Sequence, residues 1–121
     1  MTDFVVLDDY QHDIKKLEKR FPSIVEDVDL FLKALSAVLP EAVSGTVRIS
    51  DLGISTDIPV YKVRHFRCKS LQGKGSRSGI RLIYGYIVTI NEVTLIEIYH
   101  KSAQTNPTKK RIIAFLKSKQ S

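Results

Sequence analysis

The sequence predicts an α+β domain: an antiparallel sheet with an N-terminal helical hairpin packed on one face. Two successive stretches with helical spacing of apolar residues occupy positions 9–39. Three strand-like runs follow one another between positions 60 and 100, as the strands of a meander do. A length of 121 residues, 43% of them apolar, fits one compact domain spanning 1–121.

Taken in order, Phe4-Val5-Val6-Leu7 is a short apolar run between Asp3 and Asp8 and reads as a strand. Tyr10, Ile14, Leu17 and Phe21 then recur at helical spacing, which predicts a helix over 9–20. Pro22 suits the first turn of a second helix, whose stripe is Val25, Val28, Leu32, Leu35 and Leu39. Glu26, Asp27 and Asp29 sit near its N-terminal end, where the helix dipole favours carboxylates, and Pro40 ends it. Gly45, Gly53 and Pro59 break residues 41–59 into extended loop, with room for a short strand at Thr46–Ile49. Val60–Cys68, Ile80–Ile90 and Val93–His100 read as strands, the last two joined through a tight turn near Asn91-Glu92. Asn106 is a suitable helix cap and Pro107 suits the position after it. A basic helix over 107–118 then turns Ile112, Ile113 and Leu116 to the core. The predicted order is β-α-α-β-β-β-α.

Charge is divided along the chain. Residues 1–60 hold six Lys or Arg against eleven Asp or Glu, a net −5; residues 61–121 hold thirteen against two, a net +11. Solvated surfaces usually mix their signs, so a segregated basic half points to a polyanionic partner. No apolar run approaches the ~20 residues of a membrane-spanning helix, and the start of the chain lacks the layout of a secretory signal. Cys68 is the one cysteine, so no internal disulfide forms. The expectation is a cytoplasmic protein that does not engage a membrane.

Several motif readings fail on spacing. The loop from Lys69 to Gly79 is basic and glycine-rich, but Gly73-Lys74-Gly75 lacks the phosphate-loop spacing. It also joins two strands, whereas a dinucleotide fingerprint joins a strand to a helix. It reads as a hairpin loop able to touch a nucleic-acid backbone. His65-x-x-Cys68 places its two ligand types on different strand faces with no second pair, so no metal site is expected. Asp8, Asp9, His12 and Asp13 read as cap and dipole partners of the first helix.

Tyr61-Lys62-Val63-Arg64 followed by Gly79-Ile80-Arg81-Leu82-Ile83-Tyr84 resembles a pattern of the RelE/ParE toxin superfamily, a basic strand, a loop, then a Gly-x-Arg-Leu-Ile-Tyr strand. Leu95-Ile96-Glu97-Ile98-Tyr99-His100-Lys101 is similar to that family's last strand. The likeness covers roughly positions 60–112; the first 59 residues match only in the order of their elements. The resemblance implies a RelE-like fold and the toxin of a type II toxin–antitoxin pair. Such a toxin cleaves messenger RNA, often on the ribosome, or poisons DNA gyrase, and a cognate antitoxin wraps it into a hetero-oligomer. It needs no cofactor.

Cleaving RNA without a metal requires a base for the 2′-hydroxyl, cations for the charged phosphorane and an acid for the leaving 5′-oxygen. By position, Lys62 and Arg64 match the basic pair of the family's second strand and Arg81 the arginine of its third; in a strand Lys62 and Arg64 point to one face, so both could approach one phosphate. His100 is the candidate for proton transfer, because an ordinary imidazole titrates near neutrality. Tyr99 alternates to the opposite face and reads as a packing residue. Lys62, Arg67, Lys74, Arg77 and Lys101 are candidate substrate-binding cations. Ser102 and Ala103 stand where the family often has a basic residue, and no tyrosine follows Tyr99. That departure favours a non-enzymatic gyrase-binding toxin. A plain RNA-binding module is the third reading; the basic strands carry few stacking aromatics beyond Tyr61 and Phe66.

Overall fold

The computed structural model describes residues 1–71, 73 and 77–120. Strand β1 (Asp3–Val6) leads into helices α1 (Asp8–Arg20) and α2 (Ile24–Val38), joined by three residues. Strands β2 (Thr46–Arg48), β3 (Val60–Val63), β4 (Ile80–Ile87) and β5 (Glu92–His100) follow, and helix α3 (Lys109–Ser118) closes the chain. The class is α+β, as expected. The topology differs from the expected antiparallel sheet in two ways. The sheet has five strands in the order β1-β5-β4-β3-β2, and β1 pairs with β5 in parallel. The short stretch at Thr46 joins the meander as an antiparallel edge strand against β3.

The helices also divide between the two faces. Leu82, Tyr84 and Tyr86 of β4 pack with Tyr10, Ile24, Val28 and Leu35 of the helical hairpin. Ile83, between them, packs instead with Ile112, Phe115 and Leu116 of α3. Successive strand residues point to opposite faces, so α3 covers the face that the hairpin leaves. This explains why β4 and β5 read as almost continuous apolar runs: both of their faces are buried. On β5 a bulge inserts Ile96, since Ile83 pairs with Glu97 and Tyr84 with Leu95. Phe115 lies directly over Gly85, where an added Cβ would stand 2.6 Å from the ring.

Several expected boundaries move for identifiable reasons. β3 stops at Val63, where Cys68 had been the expected end, because the chain then turns under α2 and buries Phe66 and Cys68 in the hairpin-side core. β4 stops at Ile87; a single 3-10 turn at Val88–Ile90 leads to Asn91, which adopts the left-handed backbone that asparagine tolerates. Helix α3 starts at Lys109 with Thr108 as its cap residue, two positions after Asn106. Glu97 reaches down from β5 and accepts from the Thr108 amide and hydroxyl at 2.8 and 2.6 Å, so the cap comes from the sheet.

That carboxylate belongs to a buried polar network. Glu97 is 1% exposed and also accepts from Gln104 and Arg111. Arg111 pairs with Asp13 of α1 at 2.8 Å and donates to Ile96 O, while Asp13 accepts from the Ile98 amide. β1 covers β5 only as far as Leu95. Beyond it, Asp13 and Arg111 take up the backbone groups that a longer β1 would have satisfied.

Candidate nucleic-acid interface

The end of the sheet where β3 finishes, β4 begins and β5 finishes gathers the expected site residues. Lys62 pairs across the ladder with Ile83, Val63 with Leu82, and Arg81 with Tyr99. Lys62 and Arg81 therefore share the α3 side of the sheet, and Arg64 directly follows the end of β3, where its charge acts on Lys62. Lys62 and Arg81 are half-buried and Arg64 is exposed. The Arg81 guanidinium donates to Arg64 O at 3.0 Å, which ties the two arginines together. Partial burial, then the charges of Arg64 and Arg81, hold the Lys62 ammonium below the ordinary lysine value of 10.5. The ion pairs among the described residues join Lys69 to Glu26 and Arg111 to Asp9, Asp13 and Glu97; none takes up Lys62, Arg64 or Arg81.

His100 ends β5 at the same corner, but its ring turns to the hairpin side. It stacks on Phe21 with centroids 5.6 Å apart, and the Arg20 guanidinium lies over the other partner of that stack, 4.9 Å from the Phe21 centroid. Nε2 lies 3.1 Å from Ser78 O, and Nδ1 accepts from the Ser102 amide at 3.0 Å. Burial lowers the imidazole from its ordinary 6.5; the Ser78 carbonyl opposes this, and the charges of Arg20, Lys101 and Arg81 add to it. Tyr99, as read from the sequence, is a packing residue: its ring lies in the α3-side core. Burial, then Glu97, push its phenol up to about 12, with Arg81 acting the other way.

The remaining cations do not all converge. Lys101 is exposed beside His100, and its amide donates to Gly79 O. Arg77 is exposed just ahead of β4. Arg67 lies apart, lining a groove of about 550 Å³ between α2 and the segment that follows β3, with Phe31, Ala34, Val43 and Phe66. That concavity is mostly apolar and separate from the cation cluster. Lys74 lies outside the described residues. Arg20, placed here by the turn between α1 and α2, escaped the sequence reading because it sits in the acidic half. The fold also shows that the basic half is less free than its count: Arg111 is surrounded by three carboxylates.

Such a corner is chemically suited to a phosphodiester. A guanidinium on β4 and another just beyond the end of β3 offer several N–H donors to phosphate oxygens, and the flanking ammonium is easier to deprotonate than an ordinary lysine. No protein-family model matches the chain, and no curated protein matches it either.

Proposed function

We propose that the chain is the toxin of a type II toxin–antitoxin pair and inhibits translation as a metal-independent endoribonuclease acting on messenger RNA, on or off the ribosome. The observation that carries this reading is the Lys62, Arg64 and Arg81 cluster, three cations at one corner of the sheet with no carboxylate paired to them among the described residues. Like charges held together cost stability, so a cluster of this kind is best accounted for by an anionic ligand. In this mechanism Arg64 and Arg81 hold the scissile phosphate and stabilise the charge that builds on it. Lys62, in its neutral form, takes the proton of the 2′-hydroxyl as that oxygen bonds to phosphorus, the bond to the 5′-oxygen breaks, and the leaving oxygen takes its proton from water, leaving a cyclic phosphate. The partner on the basic face is a cognate antitoxin that supplies the missing negative charge.

The test is induction of the chain in a growing bacterium, with and without the small protein encoded beside it. Growth inhibition, new messenger-RNA 5′ ends inside translated regions and relief by the neighbour are expected. Intact transcripts with a DNA-damage response would transfer the reading to gyrase poisoning. Harmless expression without a co-purifying partner would remove the toxin assignment.

A further inference from the structure

The two nitrogens of His100 are both engaged, and their partners fix which one carries the proton. The Ser102 backbone amide is a donor, so Nδ1, 3.0 Å away, is the acceptor. The Ser102 hydroxyl, 2.7 Å from the same nitrogen, then donates to it as well. Ser78 O is a carbonyl and only accepts, so Nε2, 3.1 Å away, carries the hydrogen. Neither nitrogen is left to exchange a proton with a substrate, and the ring lies flat on Phe21, on the opposite side of the sheet from Lys62 and Arg81.

What the ring does hold is the start of β4. Ser78 is buried; its hydroxyl donates to Phe66 O and accepts from the Ile80 amide at 3.1 Å. Gly79 follows in the left-handed region with φ +83, and a Cβ there would stand 2.9 Å from His100 Nε2. Gly79 O accepts from the Lys101 amide at 2.9 Å. Ser78 and Gly79 are thus clamped between the His100 ring and the chain that follows it. Arg81 stands two residues on, and its guanidinium in turn holds the Arg64 carbonyl.

We propose that His100 is a positioning residue: its Nε2–H holds the Ser78 carbonyl and so sets where Arg81, and through it Arg64, meets a phosphate. This rests on the ribonuclease reading for its consequence in activity, but the clamp itself is testable without it.

The experiment compares the wild-type chain with His100→Ala, His100→Asn, His100→Gln and Arg81→Ala. Gln keeps an N–H donor toward Ser78 O; Asn keeps only an acceptor toward the Ser102 amide. Cleavage of messenger RNA on translating ribosomes is measured across pH, and hydrogen exchange of the Lys101 amide is measured by NMR. Misplacing a charge-stabilising group by about 1 Å costs ~100-fold, which is the loss expected for Ala and Asn. Gln is expected to recover the activity with the wild-type pH profile, and to protect the Lys101 amide that Ala and Asn leave fast-exchanging. If Gln is as inactive as Ala and the pH profile loses a limb, His100 transfers the proton itself and positioning is overturned. Unchanged Lys101 exchange in His100→Ala overturns it too. If the wild-type chain cleaves nothing, or Arg81→Ala cleaves as well as wild type, the ribonuclease reading fails; Lys101 exchange then still decides whether His100 clamps β4.

Discussion

Replacing Glu97 by alanine removes the acceptor on which α3 is seated. The carboxylate is 1% exposed and receives hydrogen bonds from the Thr108 amide and hydroxyl, Gln104 and Arg111. Its loss leaves the first turn of α3 without a cap and one side of the Arg111 guanidinium without a counter-charge. Breaking a buried ion pair from one side costs ~3–5 kcal/mol, because the surviving charge stays buried. Arg111 keeps Asp13 at 2.8 Å and Ile96 O at 2.6 Å, so the lower end, about 3 kcal/mol, is expected. Glu97→Gln keeps an oxygen for the Thr108 amide but loses the charge and turns an NH2 donor toward the Gln104 and Arg111 donors that Oε2 accepts from, for a loss of ~1–3 kcal/mol. A domain of this size has about 5–15 kcal/mol in total, so the alanine variant should remain folded but lose much of its margin. Urea denaturation followed by circular dichroism reads this as a lower midpoint at an unchanged slope. A loss below about 1 kcal/mol for Glu97→Ala, or a larger loss for Gln than for Ala, would refute the reasoning that this carboxylate holds α3 by charge.

Arg81→Ala should lower RNA cleavage by ~100–1,000-fold, the usual consequence of removing a charge-stabilising donor, with little change in the melting temperature. Activity within a few-fold of wild type would end the assignment. Lys62→Arg keeps the charge but replaces the lowered ammonium with a guanidinium that does not give up its proton; cleavage should fall by ~100-fold or more while RNA affinity in a filter-binding assay is retained. Gly85→Ala pushes a methyl to 2.6 Å from Phe115 and should cost ~1–3 kcal/mol in denaturant unfolding, since the ring is buried and cannot withdraw freely. For His100 the folded pKa is the lower one, so the unfolded chain takes up the proton first as pH falls. Wild-type stability should therefore decline relative to His100→Gln below pH 6.5, down to the folded value, and the two should run parallel above it. Parallel stability curves down to about pH 5 would contradict the shift.

The local elements and their class were legible in the spacing of apolar residues along the chain. The stripes of Tyr10, Ile14 and Leu17 and of Val28, Leu32 and Leu35 specify two helices, because helical spacing places those side chains on one side whatever they pack against. The runs at Ile80–Ile90 and Val93–His100 read as buried strands because they are rich in Ile, Val, Leu and Tyr, and Arg64, Arg81 and His100 stood out by residue type and by the family resemblance. Which strands are neighbours and which way β1 runs depend on contacts between residues far apart in the chain, and no local spacing encodes them. An all-apolar strand also carries no mark of which residue meets which layer, so the separation of α3 from the hairpin was not legible in β4. The same holds for the site. Alternation placed Lys62 with Arg64, but whether His100 joins them depends on the Ile96 bulge, on Phe21 arriving from the α1–α2 turn and on Ser78 arriving from β4. Charge counts likewise could not tell that Arg111 is consumed inside the fold while Lys62, Arg64 and Arg81 are left without an ion-pair partner among the described residues. A count adds charges along the chain, whereas pairing is decided by which of them folding brings within a few ångströms.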